Sequence, residues 1–115
     1  MPPTFQDREQ AFEAKFAHDE EFRFLVAARR DKLFAQWAAA RLQLTDEATG
    51  ALVKQILAIP DGPAHEDALL RHVGDLFSAH DATVSRTDLS GTLTDCMKQA
   101  LKQLTEKPPE HSDIL

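Results

Sequence analysis

"FEAKFAHDEEFRFLVAARRDKLFAQWAAARLQL", residues 12–44, is the stretch on which the fold turns. It opens with phenylalanines four apart, passes through the polar knot His18-Asp19-Glu20-Glu21, and resumes as a second apolar run. Phe5, Phe12, Phe16, Phe22, Val26, Leu33 and Trp37 fall within one sector of a helical wheel at about 100° per residue. No Pro or Gly interrupts residues 4–49. Thr4 with Asp7 three positions on resembles a capping box. The pattern predicts one helix from about Thr4 to Leu42, close to 60 Å long at 1.5 Å per residue.

Downstream, the stripes are shorter. Thr45 opens a second helix with Asp46 and Glu47 in its first turn, where negative charge complements the helix dipole. Ala48, Leu52, Ile56 and Ile59 form its apolar face. Pro60-Asp61-Gly62-Pro63 breaks the chain, and a third helix starts near Pro63 with Leu69, His72, Val73, Leu76 and Phe77 inward. Ser85 and Asp88 cap a fourth, whose Leu89, Leu93, Cys96, Met97, Ala100 and Leu104 make the cleanest stripe in the chain. Pro108-Pro109 ends it, and residues 107–115 are expected to be a disordered tail. Short connections between amphipathic helices predict an all-α fold, a small four-helix bundle over residues 19–106. The first helix is too long for its partners to cover, so residues 1–18 should project as a mobile segment.

Composition and charge narrow the function. The chain has 115 residues, 43% of them hydrophobic, with four Gly and no Tyr. That is one helical domain's worth of sequence. The net charge of −6 is unevenly placed. Residues 1–41 hold seven Lys/Arg and seven Asp/Glu, whereas residues 42–115 hold six against twelve. No basic face for a nucleic acid and no polybasic membrane anchor stands out. The single cysteine forms no internal disulfide, and no run approaches a secretory signal or a membrane span. A cytoplasmic protein is expected.

Catalytic chemistry has little footing. The His18–Glu21 knot points its side chains in several directions on a helix and reads as a solvated face rather than a metal site. His65 and His72 are two turns apart, too far to share a metal by themselves, and His72 reads as a hydrogen-bonded histidine at the core edge. Cys96 lies within an apolar stripe and reads as packing. No phosphate loop or nucleophile elbow is present. No catalytic residue, cofactor or metal is expected. Arg29, Arg30 and Lys32 form the strongest basic patch, readable as a solvated face paired with Asp31 or as a docking point for an acidic partner. Phe5, Phe12 and Phe16 either cap one end of the core or enter a hydrophobic groove on a partner, with Arg8 and Lys15 pairing at its rim.

Two segments carry a resemblance. Phe5-Gln6-Asp7-Arg8-Glu9 followed by Phe12-Glu13-Ala14-Lys15-Phe16-Ala17-His18-Asp19, then Ala28-Arg29-Arg30, Lys32-Leu33 and Trp37-Ala38-Ala39, resembles the zeta subunit family of α-proteobacterial inhibitors of the F1FO-ATP synthase. His65-Glu66-Asp67 and the spacing of the last two helices extend the likeness over nearly the whole chain. The resemblance implies a four-helix protein whose N-terminal segment enters a catalytic αβ interface of F1, reaches toward the γ stalk and stops rotation in the hydrolysis direction. Phe5, Arg8, Phe12, Lys15 and Phe16 are then the partner-binding residues, with Arg29, Arg30 and Lys32 a secondary docking patch. The expected partner is the F1 sector, through its α, β and γ subunits, with no nucleic acid and no membrane insertion. The free protein is expected to be a monomer. Three positions depart from the family's habit: Ser90-Gly91-Thr92 where a basic start is frequent, Leu25 where lysine is common, and Asp31 where asparagine is common. The competing expectation is a helical adaptor or ligand-binding regulator that has the fold without inhibiting.

Overall fold

In the computed structural model, residues 5–106 are described, with side chains from Glu20 onward. Four helices follow in order: α1 (Phe5–Arg41), α2 (Asp46–Leu57), α3 (His65–Ala79) and α4 (Arg86–Glu106). The chain is all-helical among the described residues, and the first helix is by far the longest at 37 residues. The principal extents, 62 × 27 × 21 Å, reflect that length.

Local chemistry sets the helix ends. Thr45 caps α2, its Oγ1 accepting from the Ala48 amide at 3.1 Å, and Ser85 Oγ accepts from the Asp88 amide at 3.0 Å at the start of α4. α3 begins at His65 rather than near Pro63. Gly62 at φ 135° and the turn through Ala64 occupy the intervening residues, and the Ala64 side chain offers no cap. The C-termini of α1 and α3 share one device. Leu44 N–H donates to Ala39 O at 2.9 Å and Gln43 N–H to Ala40 O at 3.2 Å; Ala82 N–H donates to Phe77 O at 2.9 Å and Asp81 N–H to Ser78 O at 3.1 Å. Both are Schellman motifs, with Gln43 (φ 55°) and Asp81 (φ 56°) in the left-handed position usually given to glycine.

The helices pack around α1, which contacts α4 and α2 extensively and α3 less. The main core joins Phe34, Ala35, Ala38 and Ala39 of α1 to Leu52 and Ile56 of α2, Leu69, Leu70, Val73 and Phe77 of α3, and Leu89, Leu93 and Cys96 of α4. A second, smaller core sits further along α1, where Val26 meets Ala100 and Leu104, flanked by Phe22, Leu25, Leu33 and Met97. Of the expected stripes, Leu52 and Ile56 of α2 and Leu89, Leu93, Cys96, Ala100 and Leu104 of α4 are buried, whereas Ala48 and Met97 are half-buried and Ile59, also half-buried, lies past the end of α2. On α1 the expectation was incomplete: Leu33 and Trp37 are half-buried, while Phe34 and three alanines beside them are the deepest residues. A helix touched by three others buries more than one stripe, so its innermost side need not follow its largest residues. Small Ala side chains also let neighbouring backbones come close.

Candidate partner-binding segment

α1 is the element that positions both candidate interaction regions. α4, its main partner, runs antiparallel to it and spans about 32 Å against about 55 Å for α1. Among the described residues, their shared core reaches the level of Phe22 and Leu104. Glu20 and Glu21 just before it are exposed. The helix nevertheless continues N-terminally to Phe5. Phe5, Arg8, Phe12, Lys15 and Phe16 all fall on this extension of the backbone helix, at spacings that put Phe5, Phe12 and Phe16 on one side. Their side chains, and those of His18 and Asp19, lie outside the described residues, as do Thr4 and the 107–115 segment.

The basic patch is built into the bundle. Arg29 Nη1 donates to Gln103 Oε1 of α4 at 3.1 Å, and Arg30 Nε donates to Asp31 Oδ1 at 2.9 Å. Arg30 keeps 11% side-chain exposure and Asp31 5%, so the pair is buried rather than solvated. Pairing of Arg30 with Asp31 was foreseeable from adjacency; its burial, and the Arg29 bond to Gln103 on α4, were not.

The partner that sequence alone missed is His65. Its Nε2 stands 2.6 Å from Asp31 Oδ2 and its Nδ1 3.0 Å from the Pro60 carbonyl oxygen. Burial opposes a charge on the ring, but the bonds to Asp31 and Pro60 and the Asp31 charge outweigh it together with the repulsion from Arg30, so the imidazole pKa is raised above 6.5. Thirty-four residues separate the two side chains. The only hint in the sequence was an aspartate amid the apolar positions of α1.

Elsewhere, Asp67 receives Arg71 at 3.0 Å within α3 and Arg86 from the start of α4. Its carboxyl is held below the usual range chiefly by the hydrogen bond from Arg86. His72 shares a 3.2 Å hydrogen bond with Gln55 at the core edge, as the sequence suggested. Cys96 is buried in the core, and that burial pushes its thiol pKa up, with Asp95 adding to it and Arg30 opposing. Among the described residues, no three His, Cys, Asp or Glu groups converge as a metal site. No helix there is long and apolar enough to cross a membrane.

The family described as ATPase inhibitor subunit zeta matches residues 2–103. That span takes in the N-terminal extension of α1 as well as almost all of the bundle. Neither the curated proteins nor the solved structures contain a match to the chain.

Proposed function

The chain belongs to the ATPase inhibitor subunit zeta family, and from that membership we propose that it stops ATP hydrolysis by the F1 sector of an ATP synthase with its first eighteen residues. The family match over residues 2–103 carries the reading, because it covers the segment beyond the bundle together with the bundle. Residues 1–18 are the inhibitory unit. They enter a catalytic αβ interface and reach toward γ, with Phe5, Phe12 and Phe16 as apolar anchors and Arg8 and Lys15 pairing with carboxylates at the rim. Residues 19–106 brace against the outside of F1, where a secondary contact through Arg29, Arg30 and Lys32 requires Arg29 and Arg30 to exchange their Gln103 and Asp31 partners for groups of F1, and residues 107–115 are a tail.

The physical logic is that of helix-in-groove recognition. A helix without intramolecular packing must offset its ordering entropy by burying apolar side chains in the partner. Three phenylalanines on one side offer about 1.5–3 kcal/mol each when fully buried. The protein acts by steric obstruction and performs no chemistry of its own. It works in the cytoplasm, held at the inner membrane only through the synthase, and binds as a monomer.

The test is ATP hydrolysis by isolated F1 with the full chain and with a version lacking residues 1–18. Inhibition by the full chain alone is expected. Equal, strong inhibition by both would overturn the N-terminal mechanism, and inhibition by neither would favour a non-inhibiting regulator of the same fold.

A further inference from the structure

His65 sits where the α2–α3 turn meets α1, and both of its ring nitrogens face oxygen acceptors. Nε2 addresses Asp31 Oδ2 at 2.6 Å, and Nδ1 addresses the Pro60 carbonyl at 3.0 Å. A carbonyl accepts only, and so does a carboxylate. A neutral imidazole has a single N–H and can donate to just one of them; the imidazolium donates to both. The second oxygen of Asp31 is occupied by Arg30 Nε, so the carboxylate receives two donors in a site nearly closed to water.

We propose that His65 is a proton-operated clasp: doubly protonated, it ties the 58–64 turn and the first turn of α3 to the middle of α1, and on losing a proton it releases them.

The surrounding charges fit that role. From α1, Asp31 favours the cation and Arg30 opposes it; from the turn, the Pro60 carbonyl favours it. Asp61 in the same turn is exposed. Within α3, the helix N-terminus disfavours a cation at His65, while Glu66 and Asp67 in the first turn favour one. Asp67 is itself engaged by Arg71 and by Arg86 of α4. Also on α4, Cys96 feels Arg30 and Asp95. On deprotonation one of the two ties is lost: either the exposed Pro60 carbonyl gives up its donor to water, or Asp31 Oδ2 is left without one in the shielded end of the site, and the turn is loosened in both cases. Its start is anchored, with the Ala58 amide on Lys54 O and the Ile59 amide on Ile56 O, both at 3.1 Å, and Ile59 packed on the core; beyond that the ties are the His65 amide to Gly62 O at 3.1 Å and the Ala68 amide to Ala64 O at 3.0 Å, and Ala64 supplies no side-chain cap.

The experiment is a pH titration of the full chain by ¹⁵N NMR of the imidazole rings, with amide hydrogen exchange followed in parallel. The expected result is a His65 transition above that of an ordinary imidazole, with two protonated ring nitrogens on its acid side. As that ring titrates, protection at the His65 and Ala68 amides should fall several-fold after correction for intrinsic exchange, while the Phe34 amide is unmoved. Asp31→Asn should bring the His65 titration down to or below its ordinary value and abolish the step in protection. A His65 transition at or below that of an ordinary imidazole would overturn the clasp. So would protection at residues 65 and 68 that ignores the titration, or a step that persists in Asp31→Asn. The wild-type titration decides the matter even where the variant does not fold.

Discussion

Phe34 and Trp37, one turn apart on α1, stack with ring centroids 5.7 Å apart and planes 7° from parallel, and Trp37 in turn stacks on Phe77 of α3 at 5.6 Å. Arg41, the last residue of α1, sits with its guanidinium 5.9 Å from the Trp37 ring centre. This column of aromatic rings links the end of the central helix to a helix that otherwise touches it sparingly. Phe34 is its innermost member, with 0% exposure, whereas Phe24, ten residues earlier on the same helix, is 57% exposed.

Truncating the two phenylalanines should therefore have unequal consequences. Phe34→Ala removes a fully buried ring and leaves a cavity, an expected loss of about 3–5 kcal/mol. Phe24→Ala should change stability by less than about 0.5 kcal/mol. Urea unfolding of both variants measures the difference, and comparable losses would mean that the core of α1 has been misplaced.

The His65 imidazole gives stability a sign with pH. Its pKa is raised in the folded chain, so its contribution is complete below the unfolded value near 6.5 and declines as pH rises through the folded value. Wild type should lose stability as pH rises from about 6.5 through the raised folded value, and His65→Gln should show a flatter profile there. Asp31→Ala, which leaves Arg30 and His65 facing a gap in a buried site, should cost about 3 kcal/mol or more at pH 6. Denaturant midpoints collected from pH 6 to 9 test both statements.

Glycine is absent from two positions that favour it and present in two that do not. Gln43 and Asp81 hold left-handed backbone at Schellman caps. Gly50 and Gly91 lie inside helices, with open space where a Cβ would stand. Gln43→Gly and Asp81→Gly should each stabilise by up to about 1 kcal/mol, and Gly50→Ala and Gly91→Ala by about 0.5–1 kcal/mol each. Thermal melts of the four single variants, with midpoints above wild type, are the expected outcome.

For the inhibitory segment, alanine at Phe12 or Phe16 should weaken inhibition of F1 by about tenfold or more, the equivalent of losing one buried ring. The melting temperature of the free chain should stay unchanged if residues 1–18 serve the partner and not the bundle. A titration of F1 hydrolysis alongside a melt separates the two effects. Lost stability without lost inhibition would place these rings in the core instead.

Much of this was legible in the amino-acid order. α4 packs mainly on one side, so its buried residues recur at helical spacing and Leu89, Leu93, Cys96, Ala100 and Leu104 could be picked out by periodicity. Thr45 and Ser85 announced their caps because a cap is made by residues three apart. The excessive length of α1 followed from an unbroken run without Pro or Gly. Each is a local property, written within a few turns of chain.

Other features belong to the tertiary structure alone. α1 is gripped by neighbours on several sides, and only their arrangement makes Phe34 and Ala35, Ala38 and Ala39 its deepest residues while leaving Phe24 in water. The union of Asp31 with His65 needs the α2–α3 turn folded back onto a residue far behind it in sequence. Periodicity tells which residues can share a face of a helix. Which faces meet, and which charges are shut away from water together, depends on contacts between distant segments, and there the packing of four helices decided what one-dimensional order could not.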